Sequence, residues 1–482
     1  MAGIPADAHV HPAPWPWLAA LRRHARLILF LVGLFAWVDL VPLYGPLGAA
    51  WAAARHVAYG PLPLWFLAAH GVGLILFGHL WDRFPRFAVA GARSSVLADA
   101  VLTVLLLWLP AGAWPAAFAV MGLATAAAMP AWGRWYATTV RVAWWGRVFA
   151  LAAAGIEGVN FLYDPAGRYL TAGTALLAVL ATLALAWAAL GRFDTAPDPD
   201  RTEPPAYQSL RQHVQSFARF ALFIVLFSLL AGMSYNFLFL KPLTPFADES
   251  LRRLPYIVGV LAAGWMVDRR NLQSAMVAGA GLLALAYLVG AWRAQPEQVA
   301  GTIMNGGAFG LLEAAPWLLL AGNAGPRDAA RWFGWGLNLN VVPIFIGALI
   351  PAQLPGMTPA HLGLIAAVVL LLAILSLHGA VDPIALRHAQ AARLARDAAS
   401  AAAAPVPLDM RLERRFRGLL SPREVEVGRL AVLGVPSREI AARLYLSENT
   451  VKTHLRSVYR KTGTGNRVDL LRELLRDERP PV

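Results

Sequence analysis

Lys452, Thr453, Arg456 and Arg460 fall on the outward side of the segment ENTVKTHLRSVYRKT if Val451, Leu455 and Val458, at i, i+4 and i+7, face inward. Cations and a hydroxyl in that pattern line one helix edge with donors. That is the chemistry needed to hold phosphates and to meet the edges of bases. The same charges could form a solvated face, or lie on an anionic membrane leaflet. A second set of polar residues interrupts long apolar runs, where such groups are costly and face a bundle interior or a cavity. Asp39, Glu157, Asn160, Asn236 and Asn305 fall at similar depth, with Trp37 and Tyr235 as aromatic walls. Asn338, Asn340 and Glu313 lie deeper. Together they can form a small-molecule pocket; singly, each can also do no more than hydrogen-bond between helices.

Other chemistries are excluded. The 482 residues include no cysteine, which removes disulfides, thiolate metal sites and a cysteine nucleophile. No P-loop, HExxH, nucleophile elbow, kinase or receiver signature occurs, so neither an enzyme, a cofactor nor a metal site is expected. Hydrophobic residues make up 58% and charged ones 15%, well outside the balance of a soluble enzyme. Net charge is +14, so the acidic partners to consider are lipid headgroups and nucleic acid.

The elements that must position these residues divide near residue 380. Before it, twelve apolar spans are expected, at 27–44, 62–81, 90–109, 115–132, 145–163, 170–190, 217–240, 254–268, 273–292, 299–320, 332–351 and 361–378. The N-terminus and even-numbered loops hold seventeen Lys or Arg and the odd-numbered loops six, including Arg252 and Arg253. Basic residues accumulate on the cytoplasmic side, so both termini are expected there, beneath a bacterial inner membrane. No small-residue cleavage site follows the first basic cluster, so the first span is read as retained. The expected organisation is two six-span halves, 1–190 and 217–378, joined by a cytoplasmic loop over 191–216. A linker over 379–412, helical from span 12, leads to a small domain over 413–482.

Gly73, Gly78, Asp82 and Arg83 recur as Gly259, Gly264, Asp268 and Arg269, each 186 residues later, at the ends of spans 2 and 8. The glycines permit close helix approach, and the Asp and Arg can pair with neighbouring helix ends. The strings GHLWDRFPR and GWMVDRR resemble the loop motif of the major facilitator superfamily. That resemblance implies an all-α, polytopic bundle of six plus six spans. It departs from the family pattern at Pro85 and in the truncated second copy.

In the tail, Ser421 is a candidate N-cap with Pro422 at the first helical position and Glu424 completing a capping box; Gly434 ends that helix. Ser437 is expected to cap SREIAARL, Ser447 to cap the basic helix, and Val468–Arg476 to form a fourth helix. Short helices with a tight turn before a basic one make a helix-turn-helix, whose second helix enters the major groove of double-stranded DNA. LSPREVEVG, GVPSREIAARL and SENTVKTHLRSVYRKTGTGNR closely resemble the DNA-binding domain of the LuxR family of transcription regulators, over about 60 residues. The resemblance implies that Lys452, Thr453 and Arg456 face base edges. Ser447, Thr450, His454 and Lys461 then lie towards phosphates or orient the helix. Gly428 stands where a core Leu is usual, and Thr462 and Thr464 replace apolar residues. LuxR domains bind as dimers, and Leu471, Leu474 and Leu475 serve either that contact or the core.

The expected function is a membrane-anchored one-component regulator in which a small-molecule effector shifts the bundle between two packings and the tail responds. The alternative is a secondary transporter with a regulatory tail, using Asp39, Glu157 or Glu313 as proton-coupling carboxylates.

Overall fold

A computed structural model describes residues 16–475 apart from 44, 167–171, 191–206, 239–246, 291–294, 355, 357 and 404–407. Most of the central loop therefore lies outside the described residues. The chain separates into two compact units, 1–392 and 393–482.

In the first unit, α1 (Pro16–Leu40), α2 (Pro46–Ala54), α3 (Leu62–Arg83), α4 (Ala88–Leu105), α5 (Trp114–Thr139), α6 (Trp145–Ala166) and α7 (Ala172–Ala189) form one half. The other half comprises α8 (Leu210–Leu238), α9 (Ala247–Arg269), α10 (Leu272–Gly290), α11 (Gln295–Asn323), α12 (Ala329–Gly336), α13 (Asn338–Gln353) and α14 (Pro359–Ser376). Each expected span coincides with one of these helices, except that span 11 is broken at Leu337 into α12 and α13. Among the described residues, eight segments are long and apolar enough to cross a membrane, and α7 and α14 contribute shorter apolar stretches. The remaining two spans lie in α1 and α9, where Arg22, Arg23 and Arg26 of α1 and the ADESLRR start of α9 dilute the apolar run. The short helix α2 was not anticipated.

The halves meet through α6 against α9 and α3 against α12. These two contacts repeat each other residue by residue. A side chain at Gly78 would strike the Ala330 carbonyl at 2.9 Å, and one at Gly264 the Gly146 carbonyl at 2.6 Å, so both positions must be glycine for the helices to approach. Asp82 accepts from the Ala330 and Arg331 backbone N–H groups at 3.1 and 2.9 Å, from Arg331 Nε at 3.2 Å and from Arg134 at 2.9 Å. Asp268 likewise accepts from the Gly146 and Arg147 N–H groups at 2.7 and 3.1 Å and from Arg147 Nε at 2.6 Å. Each carboxylate thus closes the N-terminus of a helix in the opposite half, where the helix dipole and unpaired N–H groups favour an anion. The motif arginines do not join in. Arg83 is exposed, and Arg269 lies over the Trp265 ring at 5.4 Å.

The expected continuous helix out of span 12 is also corrected. Gly379, at φ +68°, turns the chain after α14, and α15 (Pro383–Ala403) starts afresh with Asp382 accepting from the Ile384 and Ala385 N–H groups. Asp382 also accepts from the Gln273 N–H at the start of α10 at 2.8 Å. Arg387 donates to the Gly322 and Ala324 carbonyls at the end of α11 at 3.1 and 2.7 Å, and its guanidinium lies 5.9 Å from the Trp145 ring of α6. Burial pushes the Asp382 carboxyl above its ordinary range despite its N–H donors, and lowers Arg387 to about 10. The root of α15 is thereby clasped to helix ends of both halves.

The second unit contains α16 (Leu408–Arg415), α17 (Pro422–Val432), α18 (Ser437–Leu444), α19 (Glu448–Thr462) and α20 (Arg467–Leu475). Its packing begins before residue 413, because Leu412 of α16 is fully buried.

Candidate functional site

The reader helix α19 is built from local signals. Ser447 accepts from the Thr450 N–H at 3.0 Å, and Gly463, at φ +70°, ends the helix. The preceding turn is made by Tyr445 in the left-handed region at φ +55°. At α17 the capping box is present: Ser421 N–H donates to Glu424 Oε2 at 2.7 Å and Glu424 N–H to Ser421 Oγ at 3.3 Å. At α18 the cap position is Pro436, and Ser437 is already the first helical residue.

Val451 and Val458 are fully buried and Leu455 partly so, which turns Lys452, Thr453, Arg456 and Arg460 outward. Arg456 and Arg460 have no side-chain partner among the described residues. Among the described residues Lys452 is held only by Glu448, one turn earlier at 2.9 Å, with both side chains about half exposed. Such a surface pair is worth roughly 0.3–0.5 kcal/mol, so it yields readily to a phosphate or base. Thr453 Oγ1 donates to the Asn449 carbonyl, Thr450 shares a hydrogen bond with the Ser447 hydroxyl, and His454 is half-buried.

Lys461, expected either to lie towards phosphates or to orient the helix, makes a contact of the second kind among the described residues. Its ammonium donates to Glu424 Oε2 at 2.6 Å, and Ser457 donates to Oε1 at 2.6 Å. Burial of Glu424 acts upward on its carboxyl, but Lys461, Ser457 and Ser421 outweigh it and hold the group at about 2. Lys461 therefore fixes α19 on α17 and orients the reader.

In the first unit, a cavity of about 640 Å³ lies between the halves. Asp39 of α1, Glu157 and Asn160 of α6, and Asn305 of α11 line it, as do the deeper Glu313 and Asn340. Asn160 Nδ2 donates to Asp39 Oδ2 at 2.9 Å, and Arg253 Nη1 of α9 donates to Glu157 Oε2 at 2.5 Å, bridging the halves. Glu157 is three turns along α6 from Gly146, so the cavity is well separated from the Asp268 latch. Trp317 closes its inner end, with ring centroids 5.2 Å from Trp132, 5.6 Å from Phe149, 6.0 Å from Phe35 and 6.1 Å from Phe333.

Two expected wall residues lie elsewhere. Trp37 is fully buried and donates to Thr103 Oγ1 at 2.9 Å, because two residues before Asp39 on a helix is nearly the opposite face; Phe35, one turn before Asp39, takes that place. Asn338 donates to the Gly71 and Gly334 carbonyls, joining α13 to α3, and Asn340 faces the cavity instead. Tyr235 and Asn236 belong to α8, but their side chains lie outside the described residues.

Residues 418–474 match the family described as bacterial regulatory proteins, luxR family. The spore germination protein GerE of Bacillus subtilis is 39% identical over 66 residues, covering 13% of this chain and 89% of GerE. The chain belongs to the luxR family of bacterial regulatory proteins. A Mycobacterium bovis protein described as an HTH-type transcriptional regulator is 39% identical over 92 residues, 19% of this chain and 10% of that protein. The chain thus spans about a tenth of that relative's length. The first unit is similar in fold to solved transporters. The human organic anion transporter MFSD10 superposes with a TM-score of 0.55 at 17% identity, covering 75% of this chain and 99% of that one. The major facilitator superfamily proton:xylose symporter XylE gives 0.58 at 12% identity, covering 75% and 95%. At such identities the likeness establishes the fold alone: a polytopic, major-facilitator-like helical bundle joined to a luxR-family domain.

Several residues of this luxR-family protein escaped the sequence reading. Arg253 counts as a loop cation by charge, yet α9 begins at Ala247 and carries it into the cavity. His70 also lines the cavity, its Nδ1 3.0 Å from the Gly122 carbonyl. Asp99 of α4 is fully buried, accepting from Thr125 at 3.0 Å through Oδ2 while Oδ1 has no partner among the described residues. Ionisable residues inside apolar spans were the available signal for both. In the luxR-family domain, a side chain on Gly428 would come within 2.7 Å of Leu412 Cδ2, so α16 supplies the bulk that Gly428 lacks.

Proposed function

We propose that the protein is a membrane-anchored, one-component transcription regulator of the bacterial inner membrane, with both termini in the cytoplasm. An effector in the cavity biases the packing of the two halves, and the bias reaches the reader through the root of α15. The clasp at Asp382 and Arg387 carries this reading: the segment leading to the luxR-family domain is tied to α6, α10 and α11, drawn from both halves. A change in how the halves meet then alters what α15 is tied to, and a hundredfold switch needs roughly 2.7 kcal/mol of differential affinity. The reader acts on double-stranded DNA, as a homodimer. Leu474 is buried in its own core, which leaves the exposed Leu475 and Val468 of α20 for a partner copy.

Mapping chromosomal sites bound by the full-length protein tests the reading. Wild type is expected to occupy discrete sites, Lys452→Ala to lose them, and Asp382→Ala to keep DNA binding while losing its response to effector. Occupancy unchanged by Lys452→Ala would sink the proposal.

A second reading, a secondary transporter carrying a regulatory tail, is favoured by the Glu157–Arg253 pair, which joins the halves across the cavity where alternating access would break it. Uptake of a labelled substrate into proteoliposomes, abolished by Asp39→Asn, would support it; absence of protein-dependent uptake would remove it.

A further inference from the structure

Behind the cavity wall the first half buries a carboxyl group that neither reading uses. Asp99 of α4 is fully buried, and its contacts with α5 can be counted hydrogen by hydrogen. Thr125 Oγ1 of α5 lies 3.0 Å from Asp99 Oδ2 and 2.8 Å from the Met121 carbonyl oxygen one turn earlier. A threonine hydroxyl has a single hydrogen to give. An ionised Asp99 therefore shares that hydrogen with Met121 and receives no other, because Oδ1 has no partner among the described residues. With a proton on Oδ2, the bond at 3.0 Å runs the other way: the acid donates to Thr125 Oγ1, and Thr125 donates to Met121. Each hydrogen then has its own acceptor. Thr103, one turn along α4, shows the same balanced pattern, donating to the Asp99 carbonyl at 2.6 Å and accepting from Trp37 Nε1 at 2.9 Å.

Among the described residues no cation offsets a charge at Asp99. From α5 it meets Thr125, from α1 the Trp37 indole stands on the neighbouring Thr103, and α7 has no charged residue between 172 and 189. Arg134 of α5 is more than two turns from Thr125 and pairs with Asp82, while Asp39 of α1 faces away from Trp37 towards Asn160. Arg93 of α4 is nearly two turns from Asp99, its guanidinium 4.6 Å from the Trp187 ring. A carboxylate with no cation and one shared hydrogen is costly inside a membrane-spanning bundle, and a neutral acid avoids that cost.

We propose that Asp99 is a proton-binding site, occupied in this packing, whose proton bridges α4 to α5 through the Thr125 hydroxyl. Thr125 also lines the cavity and Asp99 does not, so the hydroxyl stands between the site and the space through which water reaches it. Loss of the proton leaves a bare carboxylate between the two helices, so their contact is linked to pH and loosens as pH rises. The site goes beyond both functional readings and holds whether the bundle senses or transports.

Infrared difference spectroscopy on the full-length protein in nanodiscs tests the site. At neutral pH, the spectrum of wild type minus that of Asp99→Asn should contain the carbonyl stretch of a protonated carboxylic acid, shifted down in heavy water, and no carboxylate bands. Asparagine is close in shape to the neutral acid and can donate to Thr125 in its place. Thr125→Val removes the acceptor and should move the acid band to higher frequency. Glu426→Gln, at a half-exposed ion-paired position of the reader, should instead remove carboxylate bands and leave the acid band alone. Carboxylate bands in the Asp99 difference spectrum overturn the proposal, and their movement on adding sodium or potassium would make the site one for an alkali cation. An acid band indifferent to Thr125→Val overturns the bridge to α5. Should Asp99→Asn fail to fold, the comparison of wild type with Thr125→Val still decides.

Discussion

Lys461 Nζ sits 2.6 Å from a buried oxygen of Glu424, and this ion pair, with the Ser457 hydroxyl, joins the reader helix to α17. Lys461 is therefore part of the scaffold that orients the reader. Glu424→Gln is expected to destabilise the segment 408–475 by about 1.5–3 kcal/mol, the range for hydrogen bonds to a charged group. Thermal unfolding followed by circular dichroism would check it. The pH dependence has a definite sign. Because Glu424 is held at about 2 in the fold, below its ordinary 4.5, its contribution is complete above about pH 4.5 and is lost as pH falls towards 2. Glu424→Gln should flatten that stretch of the stability curve.

Leu412 fills the space beside Gly428, so Leu412→Ala should cost about 2–5 kcal/mol, as for other buried leucines. A fragment beginning at residue 418, which lacks α16, should unfold at a clearly lower temperature than one beginning at 408. Equal melting temperatures would show that α16 is dispensable.

On DNA, Arg456→Ala and Lys452→Ala should each lose about 1–3 kcal/mol of discrimination between a bound site and random sequence. Arg460, a turn beyond Arg456 and without a protein partner among the described residues, should affect all sequences alike when changed to Ala and reduce the slope of affinity against salt by about one. Titrations at several salt concentrations separate the two behaviours. Equal losses on both kinds of DNA for Lys452 and Arg456 would mean that neither reads bases.

The latch at Asp82 can be probed without background reaction, because the chain has no cysteine. His79 and Trp335 face each other across the halves, with ring centroids 6.2 Å apart. A short thiol-specific crosslinker should join His79→Cys to Trp335→Cys efficiently, and adding Asp82→Asn should lower the yield severalfold by weakening the cap on α12. Unchanged yield would show that close packing at Gly78 holds the halves together without the carboxylate.

The sequence by itself determined what is local. Apolar run lengths located the membrane helices, the capping box of Ser421 with Glu424 and the cap Ser447 located the starts of α17 and α19, and Val451 and Val458 fixed which side of α19 faces out. These depend on hydrogen bonds and periodicities spanning a few residues. Tertiary structure alone decided which partner each outward face would meet. Asp39 finds Asn160 121 residues away and Glu157 finds Arg253 96 residues away, while Trp37 turns from the cavity towards Thr103. Leu412 reaches Gly428, and the root of α15 is clasped because Asp382 and Arg387 happen to lie beside the open ends of α10 and α11. Helical phase constrains where a side chain can point, but the packing of distant segments sets what stands there, and no spacing within one helix encodes that.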